Sequence, residues 1–223
     1  MPSYSGVFTL QAQMQAIAAG TWTGLPLVIG QAYQGGYYAG QIGVGGVATH
    51  NLVVGPVSSA QTQLAWKNSN SGTTGATSDI DGPQNTADIV AHGNSTVYPA
   101  AHFCNNLSTG GQTDWYMPAK NELEVCYFNL KPTTTSNNTS SGINPNAVPA
   151  RASNYTTGDP AQTLAASFIT STGSEAFISN PYWSSSKYLS GNYAQDQFFS
   201  NGLQSYTVKY QSYRVRAIRR VAV

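Results

Sequence analysis

Charge is what this sequence has least of. Asp, Glu, Lys and Arg together make up 9% of its 223 residues, against roughly 25% in an ordinary soluble protein. Ten basic and nine acidic side chains leave a formal net charge of +1. A nucleic-acid binder carries a broader basic footprint than that. The one basic cluster, Arg214, Arg216, Arg219 and Arg220, is short and interrupted by apolar residues, so no nucleic-acid partner is expected. Cysteine is nearly absent too. Cys104 and Cys126 cannot build a disulfide framework. Both fall in helix-like segments with apolar neighbours, so two buried thiols are expected ahead of one bridge.

Other absences narrow the function. No stretch approaches the roughly 20 apolar residues of a membrane span, and no membrane insertion is expected. The N-terminus shows no basic region followed by an apolar run and a cleavage site, so no secretory signal is read there. His50, His92 and His102 are scattered and no Gly-x-Ser-x-Gly elbow occurs. A serine nucleophile would need a positioned base, so catalysis is not expected. Asp79 and Asp81 alternate in DIDG, but the rest of a calcium loop does not follow. A turn is the reading there, with neither metal nor cofactor.

What is present is 40% hydrophobic residues, 14 Tyr and 22 Gly, with Ser, Thr, Asn and Gln throughout. A disordered chain combines low apolar content with high net charge; this one can fold. Neutral polar groups must carry its solubility, which suits a protein that packs against copies of itself as a homo-oligomer.

Along the chain, Thr9 can cap a short helix whose stripe is Leu10, Met14 and Ile17 and whose end is Gly20. Residues 1–30 read as an attachment or oligomerisation segment, or alternatively as a plain N-terminal helix of the main domain. Residues 31–223 read as one domain. GGYYAGQIGVGG, HNLVVGPV and TQLAWKN are three β-segments with glycine punctuation, and residues 68–82 form a polar loop. NTADIVAHG gives one or two helical turns capped by Thr86. Pro99 opens one central helix, which runs toward Gly110-Gly111. Pro118 opens a second, with Leu123, Cys126, Tyr127 and Leu130 on one stripe. Residues 131–152 read as a long surface excursion. A short helix with Leu164 and Phe168 is expected after Pro160, and hairpins end in the strand RVRAIRRV. Strands, two central helices and strands again make an α+β fold.

The segment Tyr188–Tyr213 stands apart. Tyr188, Tyr193, Tyr206, Tyr210 and Tyr213 are interleaved with Ser, Asn, Gln and Gly. Tyr offers rigid area with a hydrogen-bonding tip, and small polar residues adapt their donors and acceptors, as in antibody paratopes. The same mixture suits glycans; the competing reading is ordinary exposed strand residues. Gly191 and Gly202 mark hairpin turns, which would project Asn192, Tyr193, Ser200, Asn201 and Gln204 near loop tips, with Gln195 beside them. Phe198, Phe199 and Val208 read as core. Trp115 and Trp183 are expected as structural anchors, with Ser184 and Ser185 satisfying main-chain groups. In RVRAIRR, period-2 alternation puts Arg214 and Arg216 on one face and Val215, Ala217 and Arg219 on the other. An arginine turned to the body needs a carboxylate, and Asp114 and Glu122 are the natural partners for a structural clamp.

At GGQTDWYMPAKNELEVCYFNLKP, PYWSSSKY and RVRAIRR the sequence resembles C-type-lectin-fold domains marked by a DWYLP…EL helix, a YWSSSEY turn and a terminal VRAVRR strand. That family includes the C-terminal domain of the Legionella collagen-like adhesin and phage and prophage tail proteins. More distantly, the arrangement is similar to retroelement-diversified tropism determinants. The resemblance covers roughly Gly35 to Val221. It implies a lectin-type fold with a non-catalytic binding face for host-surface recognition. Two departures stand out: Ala119 replaces a frequent Ser, which removes the capping box and leaves Glu122 without its reciprocal partner, and Lys187 replaces a frequent acid. The expectation is a phage virion adhesin at a tail or fibre tip, assembled in the host cytoplasm and released by lysis. It would contact a host-surface glycan or protein through the C-terminal hairpins, and other virion proteins through residues 1–30. The alternative is a virion structural protein, for capsid decoration or tail assembly, with the same fold.

Overall fold

Gly45 and Gly46 take φ of 60° and 79°, the left-handed pair that a two-residue hairpin turn requires. They join β2 (Gly36–Val44) to β3 (Val47–Val54) in antiparallel register, Val44 opposite Val47. With β1 (Ala32–Tyr33) and β9 (Ile218–Ala222) these strands form a first sheet, ordered β1-β2-β3-β9. The second sheet contains β4 (Gln61–Ala65), β5 (Pro181–Lys187), β6 (Tyr193–Phe198), β7 (Gln204–Val208) and β8 (Ser212–Arg216), ordered β4-β8-β5-β6-β7. The helices are α1 (Val57–Ala60), α2 (Gly82–His92), α3 (Pro99–Asn105) and α4 (Lys120–Leu130), with a 3-10 turn at Ala166–Phe168. The architecture is α+β. This computed structural model describes residues 26–73, 75–189 and 191–223, together with Met14. The expected N-terminal helix, and most of the segment assigned to residues 1–30, lie outside the described residues. Within that segment Ile29 packs against the core, and the Gly30 N–H donates to the Tyr38 carbonyl at 2.8 Å.

The core forms two clusters. One gathers Leu123, Cys126, Tyr127 and Leu130 of α4 with Leu52, Tyr182, Phe168, Phe177 and Phe199. The helical stripe read from the sequence is thus buried as a unit. The other surrounds Trp66, Tyr98, Trp115, Met117 and Trp183. Cys104 and Cys126 are free and buried, one in each cluster, and burial raises both thiol pKa values.

Several elements differ from expectation. RVRAIRRV is two strands. The Ala217 N–H donates to Ala60 O at 2.9 Å, and its carbonyl accepts from Gly55 at 3.0 Å. The chain therefore leaves the second sheet at Arg216 and enters the first at Ile218, and alternation across the junction is lost. The α2 cap is Asp81, accepting from the Gln84 N–H at 3.2 Å, whereas Thr86 is buried and bonds the Met117 main chain. Only a 3-10 turn follows Pro160: Phe168 is buried, but Leu164 is 98% exposed. YWSSS is strand β5, not a turn. The excursion 131–152 is pinned rather than loose. Asn144 is buried, donating to the Asn121 carbonyl at 2.8 Å and to Glu124, and Ala147 joins the core.

Candidate functional site

Alternation along β6 sends Tyr193, Gln195 and Gln197 to one face of the second sheet. The register sets Gln195 opposite Tyr206, Gln197 opposite Gln204 and Tyr193 opposite Val208, so β7 adds Tyr206 and Gln204 to that face. The incoming turn adds Tyr188, whose ring stacks on Tyr206 with centroids 3.8 Å apart and planes 9° from parallel. Tyr193 meets Tyr206 edge-on at 5.8 Å and 82°. Tyr206 is half exposed and Leu189 beside the group is 92% exposed. Aromatic contacts of this kind fix the rings without covering them.

Scarce cations hold the turn in place. The buried Lys209 donates to Gly191 O and, at 3.0 Å, to Thr73 Oγ1, and lies 4.4 Å over the Trp66 ring. Lys187 donates to Thr73 O at 2.9 Å and Lys67 to Gly72 O at 2.7 Å. Burial, with the neighbouring Lys67 and Lys187, pulls Lys209 down to about 7. The turn itself closes through the Tyr188 N–H to Tyr193 O and the Gly191 N–H to Tyr188 O, both 2.9 Å.

Not every expected contact residue joins this group. Asn192 is exposed in the turn, and Gln195 reaches Asp79 Oδ1 at 3.4 Å. Ser200 and Asn201 lie at the far end of the hairpin, roughly 20 Å along the strand. There the Asn138 N–H donates to the Asn201 carbonyl at 2.8 Å. Gln204 sits against the excursion: its N–H donates to Ser141 Oγ at 3.0 Å and its Oε1 accepts from Gly142 at 3.3 Å. Tyr210 is half exposed in the β7–β8 turn. Tyr213 packs on Trp183, centroids 4.7 Å apart, and so serves the core. Phe199 is buried, whereas Phe198 and Val208 are only partly so. Leu189 and Lys209 carry no expectation from sequence, and Asp79 and residues 138–142 are legible there only as parts of a turn and of a surface excursion. A lysine between strand residues in a chain so poor in charge was the available signal for Lys209.

Ion pairs tie other elements of the domain together. Arg219 takes Asp114 in a two-pronged bond at 2.6 and 2.8 Å, and that guanidinium lowers the Asp114 pKa. Glu122 is buried and fully engaged. Its Oε2 accepts from Ala119 N at 2.8 Å and Gly82 N at 3.1 Å, and its Oε1 from Tyr116 Oη at 2.6 Å and Arg220 Nε at 2.7 Å. Ala119 offers no side-chain cap, but Glu122 keeps its own half of the capping box, and Gly82 of α2 and Arg220 of β9 add partners. A Cβ on residue 82 would meet Glu122 Oε2 at 2.3 Å, so only glycine allows that approach. Ser186 Oγ, from β5, accepts the Lys120 N–H at 3.0 Å in the first turn of α4. Arg216 is buried between Phe168 and Phe177 and bonds Glu175 at 2.9 Å. Arg214 shares a register pair with Tyr182, and its Nε is buried without a partner among the described residues. Trp115 donates to Thr109 O and Gln112 O, Trp183 to Leu64 O, each at 3.2 Å. On the opposite face of β6 the Asp196 carboxylate is buried; burial pushes it up to about 6, and the Thr207 hydroxyl pulls weakly the other way.

Chemically, the face offers rigid aromatic area ringed by amides. The Ser184 and Ser186 hydroxyls donate to Gln195 O and Ser78 O, and Ser185 Oγ accepts from Asn85. Among the described residues no group of three or more His, Cys, Asp or Glu is placed to hold a metal ion, and no helix is long and apolar enough to cross a membrane.

No curated protein matches this chain. The profile of the Lcl C-terminal domain matches residues 55–219, from just before α1 into β9. That span includes the tyrosine group, both tryptophan anchors, Glu122 and the Asp114–Arg219 pair, and it covers well over half of the sequence. The chain therefore belongs to the Lcl C-terminal domain family.

Proposed function

We propose that this domain is a non-catalytic adhesin that contacts a host-surface glycan or protein through Tyr188, Tyr193 and Tyr206, with Asn192 and Gln195 supplying directional hydrogen bonds. Family membership supports an adhesin-like role. The observation that carries the reading is the Tyr188–Tyr206 stack, a half-exposed aromatic platform held by a buried lysine. Aromatic faces stack on sugar rings or protein side chains, and amides bond hydroxyls or main chain. Two sheets with central helices are also compatible with a lectin-type fold. On this reading the protein sits in a phage virion at a tail or fibre tip, where several copies add avidity to weak individual contacts. Residues 1–30 would meet other virion proteins. The uncharged polar composition and the tail-protein resemblance of the three motifs support that placement.

The test is adsorption to host cells by the chain carrying Tyr193→Ala and Tyr206→Ala together. Loss of two central aromatic contacts should weaken binding by about tenfold or more, with an unchanged circular dichroism spectrum. Full adsorption by the folded variant would overturn the assignment. Labelling the chain in intact particles tests the location: tips agree with it, and a capsid lattice replaces it with a decoration role.

A further inference from the structure

Three lysines converge on residues 71–73, and none of them forms an ion pair among the described residues. Lys67, after β4, donates to Gly72 O at 2.7 Å; Lys187, at the end of β5, to Thr73 O at 2.9 Å; Lys209, after β7, to Thr73 Oγ1 at 3.0 Å. The Lys67 N–H also donates to Lys209 O at 3.1 Å. Lys209 is the least hydrated of the three, at 0% exposure. Its second acceptor is Gly191 O. Gly191 takes φ of 74°, and its N–H closes the turn on Tyr188 O at 2.9 Å. One amine therefore fastens the turn whose Tyr188 ring stacks on Tyr206.

The bond count suits a neutral amine. An ammonium has three N–H groups, and Lys209 meets two acceptors, Gly191 O and Thr73 Oγ1. A third N–H has only the face of Trp66, whose centroid is 4.4 Å from Nζ. Like charges gathered out of water favour loss of a proton from the least hydrated member. Burial, then Lys67 and Lys187, accordingly lower Lys209 from 10.5 to about 7. The other charged and titratable groups on the surrounding elements supply no counter-charge. Asp88 of α2 accepts from Ala76 N at 3.0 Å and from Gln84 at 2.8 Å. Asp79 pairs with Lys120, and Asp196 of β6 is buried with no cationic partner among the described residues. His92 Nδ1 bonds Tyr98 Oη at 3.1 Å, and Tyr98 Oη bonds Thr73 Oγ1 at 3.0 Å, so this histidine reaches the lysine only through two hydroxyls.

We infer that Lys209 is a pH-sensitive positioning residue for the tyrosine group: as a neutral amine it fastens Gly191 and the Tyr188–Tyr206 stack, and as an ammonium it loosens them. The direction follows from the proton count. Between about 7 and 10.5 the closed turn binds fewer protons than an open one in which Lys209 meets water. Closure therefore strengthens as pH rises through that window and weakens as it falls, and below about 7 the weakening is complete. Titration of Asp196 acts the other way, since burial penalises its charged form as pH rises. That the turn controls adhesion rests on the adhesin reading; the latch itself is tested without any ligand.

The test follows the Lys209 side-chain carbon shifts of the full chain against pH, together with amide protection at Tyr188 and Gly191. The shifts should show a midpoint near 7. Protection, corrected for intrinsic exchange, should be greater at pH 8.5 than at pH 6 by on the order of tenfold. Lys209→Met keeps the aliphatic length without the amine and should flatten the profile, whereas His92→Gln should keep it. A midpoint above about 9, protection equal at the two pH values, or a profile that survives Lys209→Met or vanishes in His92→Gln overturns the inference. Should Lys209→Met fail to fold, the wild-type midpoint and protection decide. Adsorption to host cells should also be stronger at pH 8.5 than at pH 6. Flat adsorption alongside a titrating turn would keep the latch and overturn the binding role of the tyrosines.

Discussion

Arg219 grips Asp114 across 105 positions of sequence, Nε to Oδ1 at 2.6 Å and Nη2 to Oδ2 at 2.8 Å. The bond ties β9, the end of the first sheet, to the segment that leads into α4. Its third prong, Nη1, donates to Gln34 O at 2.9 Å, so one guanidinium fastens three separated stretches. The carboxylate is partly open to solvent, which limits what the pair contributes.

Asp114→Ala should therefore cost about 1–2 kcal/mol in urea unfolding, at the low end for a hydrogen bond to a charged group because the carboxylate is partly open to water. The Asp114 pKa is lowered by the Arg219 hydrogen bond, so its contribution is present above the ordinary aspartate range and lost as pH falls through the lowered value. The gap between wild type and variant should close on acidification. A gap independent of pH would show that the ion pair is not its source.

Glu122→Gln should be the more damaging change. Its carboxylate receives two main-chain N–H groups, a tyrosine hydroxyl and a guanidinium, all out of water. Replacing it leaves the Arg220 guanidinium with only the Ile80 carbonyl and the more distant Asp81 among the described residues, and losing a buried charged partner costs about 2–4 kcal/mol, toward the lower part of the range for such breaks. Thermal unfolding checks this, and a drop no larger than that of Asp114→Ala would contradict the central role given to Glu122.

Asp196 gives the opposite sign of pH dependence. Burial raises it from 3.8 to about 6, so the folded state favours the protonated acid. No penalty applies below about pH 4; it accumulates as pH rises to about 6 and is complete above that. Asp196→Asn should stabilise the protein at pH 8 by about 1–3 kcal/mol and make no difference at pH 3. Denaturant midpoints at the two pH values measure it. Equal stability at pH 8 would mean that the carboxylate finds compensation in solution.

Much of this was legible in the sequence, and the reasons are specific. The Leu123, Cys126, Tyr127 and Leu130 stripe identified α4, because helical period alone decides which side chains share a face. Gly45-Gly46 marked a turn between two β-segments, because few other residues accept its φ values. Asp114 and Glu122 could be matched to arginines because so few charges exist to be paired. The tyrosines between Tyr188 and Tyr213 were visible as a group by composition.

What sequence spacing could not convey is which of those tyrosines meet. Tyr188, Tyr193 and Tyr206 converge because β-register and a lysine-held turn place them together, while Tyr213 falls on the opposite face and packs against Trp183. Glu124 shows the same limit: its partner Arg151 comes from the 131–152 excursion and its neighbour, residue 155, is Tyr, contacts set by the path of a loop without periodicity. The break at Ala217 likewise depends on Ala60 and Gly55, residues more than 150 positions away. Local chemistry thus determined the elements, the scarce-charge pairing and the tyrosine-rich segment. Only the tertiary structure decided the partners, since hydrogen-bond register and loop closure join residues whose separation along the chain carries no signal of their contact.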